Sequence, residues 1–357
     1  MIITPIPHLD GITSRTVETP RGRVHLLQAG ATDGRPMLFI HGNAASSTWW
    51  EEVMLALPSG YLALAPDLRG YGASECQPVD ATRGMQDFSD DLHSLVETLG
   101  LRSFDLVGHS MGGVVAMHYT TDHPARVASL TLVATGSPYG FGGTRDLDGT
   151  PCWPDYAGSG GGLINPEYFR LLQAGDRSDT SDFSPRRLLR RLCASAPSFR
   201  LPREDALVEA ILCMATSAGN YSRDMRPSPN WPHIAPGTSG ANNALSPKYC
   251  NLRHFADCTP KPPVFWVRGD RDPIVSDRSI TDPGNLGAMG VLPGWPGPII
   301  YPPQPMVGQV RAVLQRYQAG GGAFEEQVIP NVGHVPYLED LPSFMRLWLP
   351  FVQVERD

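Results

Sequence analysis

The chain has 357 residues, more than one ordinary domain of roughly 100 to 200 residues and fewer than two full-sized ones. Apolar residues make up 41% and charged residues 18%, enough for a real core and too little charge for a disordered chain. A net charge of −7 argues against an extended nucleic-acid surface, and Gly 37 with Pro 35, in no collagen-like period, means many turns and ordered loops.

The six cysteines are dispersed and form no CxxC pair, which argues against a structural zinc site and a redox motif. The N-terminal stretch has no basic segment followed by a long apolar run, and no apolar run reaches about 18 residues. The expectation is a soluble, cytoplasmic protein without signal peptide or membrane span.

Short apolar runs at Val24–Gln28, Pro36–Ile40, Tyr61–Ala65, Phe104–Val107 and Ser129–Ala134 read as strands, each ending at a turn signal. Between them Met85–Leu99 reads as an amphipathic helix, with Phe88, Leu92, Leu95, Val96 and Leu99 three or four apart, and Gly112–Thr120 as a second helix. That alternation predicts an α/β core, a mostly parallel sheet with helices on both faces.

From 137 to 261 the strand pattern stops. Helices are expected at Pro166–Gln173, Pro185–Ser195 and Arg203–Ser217, between Gly- and Pro-rich stretches, so the segment reads as a helical insertion lying over the sheet. Strands return at Pro263–Arg268 and Phe324–Ile329, with a helix at Val307–Tyr317. The division expected is a first core part at 1–136, a cap at 137–261 and a second core part at 262–357, with a long ordered loop at 276–306 beside a pocket or an interface.

Gly108-His109-Ser110-Met111-Gly112 matches G-x-S-x-G between a strand and a helix. A strand that turns abruptly into a helix crowds the backbone, so small residues two before and two after the serine let the turn close with the hydroxyl at its tip. The amide of Met111 then sits at a helix N-terminus, where developing negative charge is stabilised.

With this context the chain resembles the α/β-hydrolase superfamily, over about residues 20–136 and 262–350, and in particular its cap-bearing serine esterases and lactonases. The resemblance implies an eight-stranded sheet and a helical cap. His41-Gly42-Asn43 resembles the family's oxyanion loop, which implies oxyanion donors at the amides of Asn43 and Met111. Asp67-Leu68-Arg69-Gly70-Tyr71-Gly72-Ala73-Ser74 resembles a family loop that is usually structural. Dehalogenases and epoxide hydrolases of this fold carry aspartate at the elbow, so Ser110 implies carbonyl chemistry instead.

A serine needs an adjacent base held in one tautomer by a carboxylate. His334 is the histidine that follows the last strand, in a stretch resembling the family's G-H motif. Gly269-Asp270-Arg271-Asp272-Pro273-Ile274-Val275 resembles the G-x-x-D-x-x-V arrangement and points to Asp272 as the acid, with Asp270 and Asp277 as competing carboxylates. The family mechanism has no task for a metal, nucleotide or other cofactor.

The function expected is hydrolysis of a medium to bulky, largely apolar ester or lactone through an acyl-enzyme, water being the co-substrate. Amide, carbamate or carbon-carbon bond hydrolysis, or ligand binding without catalysis, are the alternatives. No nucleic-acid or membrane partner is expected, and the chain is expected to be a monomer or homodimer. Substrate contacts are sought among the aromatics Trp49, Trp50, Trp153, Tyr156, Tyr221, Trp231 and Trp295, and Phe199 belongs to the same set. The run Arg186-Arg187-Leu188-Leu189-Arg190-Arg191 reads as the solvated face of a helix rather than an anion site.

Overall fold

A computed structural model of the chain describes residues 6–194 and 200–354. Its central sheet begins with β1 (Thr13–Thr19), β2 (Gly22–Gly30), β3 (Arg35–Ile40), β4 (Tyr61–Pro66), β5 (Phe104–His109) and β6 (Val127–Val133). A short pair, β7 (Met225–Pro227) and β8 (Ile234–Pro236), stands apart, and β9 (Val264–Gly269) and β10 (Phe324–Ile329) complete the sheet. The spatial order is β1-β2-β4-β3-β5-β6-β9-β10. β2 pairs antiparallel with β1 and β4, and every other neighbouring pair is parallel.

Helices α1 (Glu51–Leu55), α2 (Gln86–Thr98) and α3 (Met111–Asp122) alternate with the first strands. Between β6 and β9 come α4 (Pro166–Gln173), α5 (Pro185–Arg191), α6 (Glu204–Leu212) and α7 (Ala241–Ala244). The last are α8 (Pro283–Ala288), α9 (Met306–Ala319), α10 (Pro336–Glu339) and α11 (Leu341–Val352). Side chains alternate across a strand, and the two faces are covered differently. Phe104 of β5 meets Tyr119 of α3, whereas Phe39 of β3 meets Trp348 of α11, whose indole N–H donates to Thr131 Oγ1 of β6. β5 is buried along its whole length, and its one carboxylate, Asp105, accepts from Arg35 Nη2 of β3 at 2.7 Å.

The insertion between β6 and β9 carries a helix in each of the three expected places, the second and third shorter than expected and ending at Arg191 and Leu212, together with one feature beyond them, the antiparallel pair β7–β8. Its sequence, Met225 to Pro236, is interrupted by prolines that exclude helix, and its strands pair only with each other among the described residues. The expected end of the second cap helix at Ser195, and Phe199, lie outside the described residues.

The segment 276–306 is not purely loop. Asp282 caps α8, with Pro283 at the first helical position. The segment is bonded to the insertion: Trp231 Nε1 donates to the Pro293 carbonyl (2.9 Å) and the Tyr301 hydroxyl to the Ala157 carbonyl (3.1 Å). Gln304 spans Gly140 and Gly142, accepting from the amide of the latter at 2.7 Å.

Asp282 itself is buried, with Oδ2 accepting from the amides of Asn285 and Gln304 and Oδ1 left without a hydrogen bond. Burial pushes its carboxyl up from 3.8 to about 6, against the opposing pull of those donors. A carboxyl raised in the folded state destabilises the fold as it ionises, so stability falls as pH rises from about 4 through about 6. Asp282→Asn keeps the helix cap without the charge. Between pH 4 and pH 8 its stability relative to the wild type should shift upward by on the order of 2 to 3 kcal/mol. Denaturant unfolding at the two pH values measures this, and a pH-independent difference would refute it. No helix among the described residues is long and apolar enough to cross a membrane.

Candidate active site

The carboxyl ends of β3, β5, β9 and β10 point to one edge of the sheet, where ligands of open parallel sheets bind. Ser110 follows β5 with φ 54° and ψ −118°, a left-handed conformation that costs a non-glycine residue energy. The turn is held by Ser110 N–H to the Val133 carbonyl (3.0 Å) and by the Ser110 carbonyl accepting from Gly113 and Gly136 (3.0 and 3.1 Å). A Cβ at Gly112 would run into the main-chain carbonyl oxygens of Ile40 and His41, so the elbow and the loop after β3 are pressed together there. Gly112→Ala should therefore push that loop away, lowering stability by about 2 kcal/mol or more together with activity. Unfolding midpoints equal to wild type would disprove the close approach.

His334, in the loop after β10, has Nδ1 2.8 Å from Asp272 Oδ2 and Nε2 3.0 Å from Ser110 Oγ. Asp272 Oδ1 accepts the amides of Ile274 and Val275 (2.8 and 2.9 Å), which leaves Oδ2 to receive the Nδ1 proton. Nε2 is then the lone-pair nitrogen facing the serine. Asp272 and His334 are 6% and 4% exposed, so the pair is screened from water. Asp270, by contrast, turns its Oδ1 to the Asn331 amide (2.6 Å), and Asp277 accepts the amides of Val307 and Gly308. Of the three carboxylates only Asp272 meets the imidazole.

Two contacts clamp the His334 main chain. Its N–H donates to the Leu192 carbonyl of the insertion (2.7 Å), and its carbonyl accepts from His109 Nε2 (2.9 Å). His109 is fully buried, and that burial, with the nearby His334 ring, holds its pKa well below the usual histidine range, so it stays neutral. This role of the second residue of the pentapeptide is not expected from the motif, which specifies only the serine and the glycines.

The loop His41-Gly42-Asn43 is built with a second neutral histidine. His41 Nδ1–H donates to the Gly42 carbonyl (2.8 Å), and its Nε2 accepts from the Leu68 amide (3.0 Å). Burial lowers its pKa, against the opposing pull of Asp67. Asn43 follows, its side chain bonded to Tyr71 and Asn242. Among the described residues the main-chain amides of Asn43 and Met111 have no hydrogen-bond acceptor.

The aromatic candidates separate. Trp50 is wholly buried behind the elbow, stacked on Tyr337 at 4.1 Å, and Trp49 lies beside His109. Trp153, Trp231 and Trp295 cluster with Tyr301 where the 276–306 segment meets the insertion. Tyr221 packs against Tyr168 and Phe169, and Tyr156 lies in the insertion with φ 60°. Asp67 accepts from His25 and the amides of Ser47 and Ala73, and Arg69 pairs with Asp91, so that loop is structural. Arg186 and Arg190 are paired with Glu204, Arg186 also with Asp205 and Arg190 with Asp179, and Arg187 and Arg191 with Asp182, so four carboxylates balance the four guanidiniums of the basic run. Among the described residues no three His, Cys, Asp or Glu side chains are grouped to hold a metal ion.

The fold and this site define the class. The family model described as alpha/beta hydrolase fold matches residues 35–294, more than half of the chain, and the protein belongs to that family. Among curated relatives, the chain is 34% identical over 135 residues to non-heme chloroperoxidase CPO-A1 of Kitasatospora aureofaciens, covering 37% of this chain and 48% of that one. It is 33% identical over 129 residues to 2-hydroxymuconate semialdehyde hydrolase of Pseudomonas sp. (strain CF600), covering 35% of this chain and 44% of that one. The matched region thus spans less than half the length of either relative. Among solved structures, carboxylesterase CesB of Bacillus subtilis superposes with a TM-score of 0.57 at 16% identity, over 96% of this chain and 92% of that one. E-2-(acetamidomethylene)succinate hydrolase does so with a TM-score of 0.56 at 19% identity, over 96% and 100%. At such identities the likeness is one of fold.

Proposed function

We propose that the protein is a serine hydrolase that cleaves a carboxylic ester or lactone of a medium to bulky, largely apolar substrate through an acyl-enzyme. The observation that carries the reading is the continuous arrangement Ser110 Oγ, His334 Nε2, His334 Nδ1 and Asp272 Oδ2, at 3.0 and 2.8 Å, beneath a strained elbow. His334 takes the Ser110 proton as Oγ adds to the carbonyl carbon. The amides of Asn43 and Met111 receive the oxyanion, and His334 protonates the departing alkoxide. Water, deprotonated by the same imidazole, then attacks the acyl carbon, and Ser110 leaves with the proton returned to it. Asp272 stays ionised and stabilises the imidazolium.

Chemistry at a carbonyl is favoured because the nucleophile is a hydroxyl beside the His41-Gly42-Asn43 loop, where a Cβ at Gly42 would come within 3.1 Å of Ser110 Cβ. An apolar substrate is favoured by the aromatic residues that the insertion and the 276–306 segment bring together. We take 1–136 and 262–357 as the two parts of the core and 137–261 as the cap, a reading supported by the run of helices between β6 and β9. A cytoplasmic location is supported by six cysteines that are all free.

The test is a panel of chromogenic esters and lactones of graded size, with a fluorophosphonate probe in parallel. Turnover of apolar esters and a phosphonate adduct mapped by mass to Ser110 are expected. An adduct on another residue, or turnover of amides in preference to esters, would reject the reading.

A further inference from the structure

We infer that Asn242 of the insertion and Tyr71 of the core are positioning residues for oxyanion stabilisation, gripping the Asn43 carboxamide and so fixing the direction of the Asn43 main-chain N–H. The inference rests on the serine-hydrolase reading above and assigns to the insertion a part in catalysis beyond covering the site.

The hydrogen bonds leave the Asn43 carboxamide one orientation. The Ala44 amide, which can only donate, reaches Asn43 Oδ1 at 3.1 Å, and the Tyr71 hydroxyl donates to the same oxygen at 2.6 Å. Asn43 Nδ2 therefore faces Asn242, whose Oδ1 accepts it at 3.0 Å. Exchanging oxygen and nitrogen at Asn43 would set a donor against the Ala44 N–H. The side chain is thus held from the core on one side and from the insertion on the other.

The same residue is fixed along the chain. His41 holds the Gly42 carbonyl, and in a planar trans peptide the following N–H, that of Asn43, points the opposite way. Ala44 is locked on the other side in a left-handed conformation, φ 52°. A donor held in place before the negative charge develops costs no reorganisation when the reaction occurs, which is what an oxyanion donor requires. Tyr71 is buried and its hydroxyl also lies 3.9 Å from Met111 Sδ, so it touches both residues whose amides would serve.

Asn242 is delivered by a fixed seat. Thr238 and Gly240, just before α7, bond to Ala81 and Val79 of the core, each at 3.0 Å. Asn243, fully buried, accepts the amides of Gly161 and Gly237 and donates to the carbonyls of Asp224 and Ser239. The segment is therefore stitched to the core and to the rest of the insertion at once, and Asn242 reaches Asn43 only while both sets of bonds hold.

The experiment uses the full chain with Tyr71→Phe, Asn242→Ala and the double variant. Three readouts are taken: steady-state kinetics on a chromogenic ester, inhibition by an aryl trifluoromethyl ketone that Ser110 Oγ converts to an oxyanion, and inhibition by the product acid as a ground-state competitor. Each single variant should lower kcat by about tenfold or more, leave KM within about twofold, and weaken the ketone by the same factor as kcat. Product-acid binding should be unchanged. Because both residues act through one carboxamide, the double variant should be little worse than the poorer single one.

Either single variant keeping kcat within about twofold overturns the inference. So does a loss in which ketone and product acid weaken alike, the signature of a merely structural role. If Asn242→Ala does not fold, Tyr71→Phe decides by the same criteria. A wild type that neither turns over esters nor takes phosphonate on Ser110 overturns the serine-hydrolase reading and this inference with it. A wild type that does both, with variants that match it, overturns only the positioning of Asn43.

Discussion

Ser110→Ala should fold as the wild type and lose on the order of 10⁴-fold or more in kcat/KM. Alanine removes only the hydroxyl. It leaves the main-chain bonds of the elbow with Val133, Gly113 and Gly136 in place. His334 would then face a methyl group across the former 3.0 Å contact, with no other side chain at the tip of the turn to accept the acyl group. Residual rate would come from the main-chain donors alone, acting on attack by water. Unfolding midpoints check the fold and chromogenic ester kinetics check the loss. Retention of more than about one part in a hundred of kcat/KM, with contaminating activity excluded, would rule out covalent serine catalysis.

The second large effect belongs to the carboxylate. Asp272→Asn should lose on the order of 10² to 10⁴ in kcat, because asparagine can satisfy the Ile274 and Val275 amides with its one oxygen and must then turn its NH₂ toward His334 Nδ1. A donor there makes Nδ1 the lone-pair nitrogen and places the proton on Nε2, where the imidazole cannot receive the proton of Ser110. Asp270→Asn should cost less than about threefold, since its Oδ1 accepts only from the Asn331 amide, a bond that asparagine keeps. The paired kinetics and the structures of the two variants decide. A large loss at Asp270 with near-normal turnover at Asp272 would reverse the assignment of the acid.

The elements legible in the sequence are those whose signal is local. β3, β5, β6 and β9 are mainly apolar runs without strict alternation because most of their residues are buried on both faces, and α2 and α4 follow their periodicity to within a residue or so. β1 is not legible, since only Val17 of its seven residues is buried and an exposed edge strand has no apolar alternation to show. α8 is hidden by Pro283, Gly284 and Gly287, residues that read as loop until the Asp282 cap and the packing of Trp295 over Gly287 hold them in a turn of helix.

At the site the same division holds. Ser110 and His334 each stand at a strand end marked by glycines and a local motif, so the sequence by itself points to the nucleophile and the base and narrows the acid to Asp272, Asp270 or Asp277. The choice of Oδ2 over Oδ1 follows from the local amides of Ile274 and Val275, whereas the approach of Asp272 and not Asp270 to His334 depends on the pairing of β9 with β10, which sets Gly269 beside Ile329. Tyr71 and His109 stand at unspecified positions of their motifs, and Leu192 and Asn242 lie in no motif, so none of the four roles has a local signal. Their contacts to Asn43 and His334 cross 28, 225, 142 and 199 positions, and two of them come from the insertion. A motif encodes bonds made within one turn of chain, whereas the pairing of the core elements brings Tyr71 to Asn43 and His109 to His334, and the closing of the insertion onto the sheet brings Leu192 and Asn242 within 3 Å of their partners.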